Sequence, residues 1–201
     1  MLKYQEFLIL TKSLGMKISK KTVLNVVLIL FVLSFFVTPL GYYGKILLNK
    51  LLAMSPPVIE QSEREKITDY DWKLKDADWN IFNFEKSKGN VVFINFWASW
   101  RLPSEAELSS IQELYNKYKG KMDFYIITNE NRPPVKAFME EHEFTFPLTY
   151  LIIGEKMPVD SKEVPSSYLI DKSGNIVIHK KGIADWSNKK VYTLLDELIA
   201  E

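Results

Sequence analysis

"VVFINFWASWRLPSEAELSSIQELYNKY", Val91 to Tyr118, decides the fold. It begins inside Asn90 to Trp97, a short continuous apolar run of the kind that forms a strand buried on both faces. Its second half spaces Leu108, Ile111, Leu114, Tyr115 and Tyr118 along one helical face. Between the two lies Trp100-Arg101-Leu102-Pro103-Ser104, followed by Glu105 and Glu107. This has the form of an active-site loop running into a helix, in a chain that contains no cysteine.

Working outward, "MDFYIIT", Met122 to Thr128, reads as a second buried strand. Parallel pairing of the two strands, with the helix as crossover, makes a right-handed βαβ unit. "PPVKAFMEEHEF" predicts a helix with Pro133 or Pro134 near its first turn. "SSYLID", Ser166 to Asp171, is a strand, "KSGN" a turn, and "IVIHKK" its antiparallel partner. A last helix opens after Asp185-Trp186-Ser187 and carries Val191, Leu194, Leu195, Leu198 and Ile199 on one stripe. The order predicts an α/β domain over residues 70–201, a mixed sheet covered by helices.

The N-terminal third is of another kind. Up to Val58 the chain carries seven lysines against one acidic residue, a charge of +6; from Ile59 onward 19 basic residues face 24 acidic ones, a charge of −5. An acidic main domain argues against a nucleic-acid role, which needs clustered cations. "TVLNVVLILFVLSFFVTPL", Thr22 to Leu40, holds no charge and is long enough for a transmembrane helix. Lys12, Lys17, Lys20 and Lys21 precede it, so the positive-inside rule places residues 1–21 in the cytoplasm and the rest of the chain outside. No A-x-A cleavage pattern follows the run, which favours an anchor over a cleaved signal. Residues 41–69 then read as a juxtamembrane linker. "GKILLNKLLAMSPPV" is a candidate amphipathic stretch on the membrane surface, and the polar "IEQSEREKITDYD" a tether.

Several ordered motifs together resemble the thioredoxin superfamily, in particular its membrane-anchored TlpA/ResA-like branch. They are the strand, FWA-x-W and loop-to-helix pattern of Val91–Tyr118, then "FTFPLTYL", then "VPSSYLIDKSGNIVIHKKG" ending in Gly182. The resemblance implies a thioredoxin-like mixed sheet flanked by helices, and a cis Val164-Pro165 bond facing the loop. It also implies thiol–disulfide oxidoreductase activity through a W-C-x-x-C motif. Here the sequence departs. Arg101 stands at the attacking cysteine and Ser104 at the resolving one. Thiol–disulfide exchange needs a thiolate and a mixed disulfide, which neither residue forms. The strand position that carries an acid in many thioredoxins is Asn95, so proton handling is expected to be absent as well.

The remaining readings concern what the loop does instead. Ser104-Glu105-Ala106-Glu107 has the S-x-x-E form of a capping box, which makes Ser104 the expected helix cap rather than a nucleophile. Arg101 reads either as a solvated cation or as a receptor for a partner's carboxylate. Trp97 is expected in the core. Trp100, Arg101, Val164 and Pro165 are the candidate binding residues, since the resemblance places Trp100 on an exposed rim and lets Val164 offer backbone groups to an extended peptide. His142 and His179 are expected to face solvent, and neither a metal nor a cofactor is expected. The expected partners are a membrane, through one N-terminal helix, and a protein or peptide. Three functions remain open: a redox-inactive binding module, an oxidoreductase-family protein acting through a cysteine-bearing partner or by non-thiol chemistry, and a structural spacer.

Overall fold

A computed structural model describes residues 19–160 and 162–201; the cytoplasmic segment expected over residues 1–21 lies almost wholly outside them. The described residues fall into two compact units, one ending at Gly44 and one spanning Lys45–Glu201.

In the first unit, α1 spans Lys20–Val37. Ser19 caps it by accepting a hydrogen bond from the Thr22 N–H at 3.1 Å. Thr38 ends it in an extended conformation, as the residue before a proline prefers. Two of its 18 residues are the lysines at its start. At about 1.5 Å per residue, a helix of that length falls a little short of a hydrocarbon core of about 30 Å. Among the described residues no helix is long and apolar enough to cross a membrane. A second helix, α2, spans Pro39–Leu52 and carries the chain into the second unit.

The second unit is a thioredoxin-like fold around a seven-stranded mixed sheet, ordered β2-β1-β5-β4-β3-β6-β7. The strands are β1 Lys73–Asp76, β2 Ile81–Asn83, β3 Val92–Phe96, β4 Asp123–Thr128, β5 Leu148–Leu151, β6 Ser166–Ile170 and β7 Ile176–Lys181. The helices are α3 Leu102–Tyr118, α4 Arg132–Glu141 and α5 Lys189–Ala200. β3 pairs parallel with β4 and antiparallel with β6, so the expected βαβ and ββ units share the central strand. All five residues of β3 are buried, and alternate side chains enter opposite cores. Phe93 joins Leu108, Ile111, Leu114, Val135 and Leu195, which come from the three helices. Val92, Ile94 and Phe96 join a second core closed by Ile67, Trp72, Phe84 and Val159.

Two parts of this arrangement differ from the sequence reading. The β1–β2 hairpin and β5 were not foreseen as strands; they are three or four residues long, and β1, "KLKD", buries only Leu74 fully. The polar stretch read as a tether is hydrogen-bonded to the sheet. The Ile59 N–H donates to the Val177 carbonyl at 2.8 Å, Ile67 to Gly174 at 2.9 Å, and Ile176 back to Glu65 at 2.8 Å. These backbone bonds cover the outer side of β7, an edge that would otherwise stay open.

Candidate functional site

The loop between β3 and α3 is built in two layers. The inner layer starts with where the helix begins. Arg101 is the N-cap, in an extended conformation and with no side-chain cap bond. Leu102 and Pro103 fill the first turn, a position that suits proline's fixed φ and missing N–H. That start makes Ser104 the third helical residue and turns it inward: it is fully buried, and its Oγ accepts a long 3.4 Å bond from the Ala98 N–H. The capping-box expectation is therefore corrected. Ser104 does not cap, and Glu105 and Glu107 lie in the interior instead of at a solvated helix end.

Glu107 is the centre of this inner layer. Its Oε1 accepts from the Trp186 indole N–H at 2.7 Å and from the Ala184 N–H at 3.2 Å. Its Oε2 accepts from the Asn95 side-chain amide at 3.2 Å, and the same amide donates to Ser167 Oγ at 2.9 Å. Burial pushes the Glu107 carboxyl up to about 7, against the downward pull of the bonds from Trp186, Ala184 and Asn95. The expectation that Asn95 leaves the site without an acid is thus corrected: the acid arrives from the helix, not from the strand. A signal existed in the sequence. Glu107 lies four, seven and eleven residues before Ile111, Leu114 and Tyr118, on the apolar stripe of α3.

The outer layer is exposed. Trp100 is 69% accessible, and the Arg101 guanidinium carbon lies 4.9 Å from its ring centroid, a cation–π contact. Glu130, which the sequence reading did not single out, anchors the loop from the end of β4. It accepts from the Ser99 N–H at 2.6 Å and from the Ser99 hydroxyl at 2.7 Å. Thr128 adds a third donor at 3.2 Å. Trp97 is in the core as expected, with its ring 5.4 Å from Phe138.

The Val164-Pro165 bond is cis. Pro165 is buried and Val164 half-buried. The Gly182 N–H, on a residue with φ of +74°, donates to the Pro165 carbonyl at 2.9 Å. Ser166 pairs with Phe96, so Pro165 sits at the strand end from which the loop leaves. The fold therefore gathers Trp100, Arg101, Val164 and Pro165 at one end of the sheet.

The two histidines are less exposed than expected. His142 closes α4, stacks on Phe144 at 5.6 Å, and places Nε2 3.6 Å from the Glu105 carboxylate. His179 stacks on Tyr168 at 4.2 Å; burial, with the nearby Lys181, holds its pKa below the ordinary value. Among the described residues, no group of three or more His, Asp or Glu is placed to hold a metal.

Residues 66–179 match the AhpC/TSA family. The thiol-disulfide oxidoreductase ResA of Bacillus thuringiensis subsp. konkukian is 37% identical over 112 residues, covering 54% of this chain and 65% of that protein. The match thus spans slightly under two thirds of that relative's length. The thioredoxin-like protein YneN of Bacillus subtilis is 25% identical over 130 residues, covering 63% of this chain and 75% of that protein. Among solved structures, a DsbF homologue from Corynebacterium diphtheriae superposes with a TM-score of 0.55 at 15% identity, covering 72% of this chain and 93% of that one. At that identity the likeness concerns the fold alone.

Proposed function

The chain belongs to the AhpC/TSA family, and from that premise we propose that it is a redox-inactive member that binds a protein or an extended peptide while tethered at the outer face of a membrane. The observation that carries this reading is the pairing of an intact scaffold with a missing reagent. The loop, the buried acid and the cis Val164-Pro165 bond are all in place. The two loop positions hold a guanidinium and a buried hydroxyl, and no thiol exists in the 201 residues. Thiol–disulfide chemistry has no nucleophile here. An exposed aromatic at the same end of the sheet as the half-buried Val164 is suited to an extended peptide, with the ring as contact area and backbone groups as hydrogen-bond partners. The tether rests on the uncharged run Thr22–Leu40 and on the lysines that precede it.

Crosslinking in cells tests the binding role. Trp100→Ala is expected to reduce recovery of the partner; undiminished recovery would remove this surface from the proposal. Insulin reduction by the purified chain is expected to be nil. The double substitution Arg101→Cys with Ser104→Cys is expected to gain it, because the scaffold around the loop is complete.

A second reading has one observation in its favour. Behind the loop lies a buried carboxyl, Glu107, whose pKa burial pushes up to about 7, which a purely docking surface does not require. On this reading a partner supplies the cysteine and this chain assists its proton transfer. Turnover by the two proteins together, lost in Glu107→Gln but not in Trp100→Ala, would replace the first reading with this one.

A further inference from the structure

The last turns of α2 present two faces of opposite character. Ile46, Lys50 and Ala53 lie on one face, at spacings of four and three residues. Ile46 is buried. The Lys50 ammonium donates to the Ser109 hydroxyl on α3 at 2.9 Å. Ala53 and Lys50 share a cleft of about 210 Å³ with Ala106, Ser109 and Ala184. Just beyond the helix, the Asp185 N–H donates to the Met54 carbonyl at 3.0 Å, and Ser55 bonds Asn188 at 3.1 Å. The end of α2 is therefore fastened to the folded domain.

The opposite face is bare leucine. Leu47, Leu48, Leu51 and Leu52 are 59%, 57%, 74% and 65% accessible, and Met54 continues the patch at 77%. At about 100° per residue these four leucines fill the half of the helix turned away from Ile46, Lys50 and Ala53. Lys45 lies at the edge of the stripe, and no acidic residue occurs anywhere between Glu6 and Glu60. A contiguous exposed apolar patch of this kind requires an occupant.

We propose that this leucine face lies in the membrane interface, so that α2 clamps the domain to a lipid surface in one orientation instead of letting it swing on a flexible stalk. The inference rests on the tethering part of the reading above and adds what the tether does to the domain. Two features select lipid as the occupant. The patch continues in sequence from the uncharged run Thr22–Leu40. Between Glu6 and Glu60 the only charged residues in the sequence are lysines, which suits anionic headgroups, while the acidic Glu113 and Asp185 line the cleft on the other face, beside Lys50.

The absence of cysteine makes the test free of background. Three single-cysteine variants of the full chain, Leu28→Cys, Leu51→Cys and Lys88→Cys, would carry a fluorophore in vesicles of phosphatidylcholine and phosphatidylglycerol. Each would be quenched separately by brominated lipid and by aqueous iodide. Position 28 reports the tether, position 51 the leucine face, and position 88 an exposed site in the turn that leads into β3. The expected result is strong lipid quenching at 28 and 51, several-fold above that at 88. Lipid quenching at 28 with iodide quenching at 51 overturns the clamp and leaves the tether standing. Protection of 51 from both quenchers also overturns it, since the face is then covered by protein. Iodide quenching at 28 overturns the tether itself, and the clamp with it.

Discussion

The two layers of the loop are separated by a few residues and obey different rules. The outer layer, Trp100 and Arg101, is exposed, and its two side chains meet in a cation–π contact. The inner layer, Ser104 and Glu107, is enclosed, and Glu107 is shared among three donors from two other parts of the chain. An exposed side chain can be exchanged for another chemistry with little cost in folding. A buried carboxyl cannot, because each of its donors would lose its acceptor. That difference explains how Glu107 and its donors can stay in place while the exposed reagent position carries Arg101; the other, Ser104, is buried but holds only one long bond, from the Ala98 N–H at 3.4 Å.

The strongest way to break the comparison is Glu107→Ala. It strands the Trp186, Ala184 and Asn95 donors and is expected to cost about 3–5 kcal/mol in urea unfolding. A loss below about 1 kcal/mol would mean that the inner layer is as tolerant as the outer one.

The proton on Glu107 sharpens the same point. The folded carboxyl titrates at about 7 against an ordinary 4.5, so the folded state holds the proton more tightly. Its contribution to stability is therefore fully present below pH 4.5 and is lost as the pH rises through 7. The loss amounts to about 3 kcal/mol. His179, whose pKa is lowered, acts in the opposite sense and costs stability as the pH falls below 6.5. Subtracting the pH profile of Glu107→Gln from that of the wild type cancels the histidine and leaves the glutamate. A flat difference from pH 5 to 8 would show that Glu107 does not titrate in that range.

Glu130→Ala probes the strut between the layers. It removes the acceptor of the Ser99 N–H and hydroxyl, both half-buried, and is expected to cost about 1–2 kcal/mol. It should also change the emission of Trp100 by loosening the loop. The smallest effect belongs to Trp100→Ala, which should change stability by less than about 0.5 kcal/mol while partner recovery falls. If recovery and stability fell together, the outer layer would be structural.

Much of the fold was legible in the sequence, because β3, α3, β4 and the β6–β7 pair are long enough to show their periods. β1, β2 and β5 were not. A run such as Lys73-Leu74-Lys75-Asp76 buries one residue deeply and is too short for alternation to stand out. The capping error at Ser104 has a local cause. Its S-x-x-E spacing is real, but Pro103 fits the first turn, so the helix starts at Leu102 and the serine turns inward.

The chemistry that is missing was settled by the sequence alone, since no folding can create a thiol from 201 residues without cysteine. The sequence also laid out the outer layer, Trp100 and Arg101, because an exposed residue depends on little beyond its neighbours. What only the tertiary structure decided is the state of the inner layer. Glu107 receives its bonds from Ala184 and Trp186, 77 and 79 residues away in the chain. Its affinity for a proton is set by the water those contacts exclude, a property of the closed interior that no local spacing encodes.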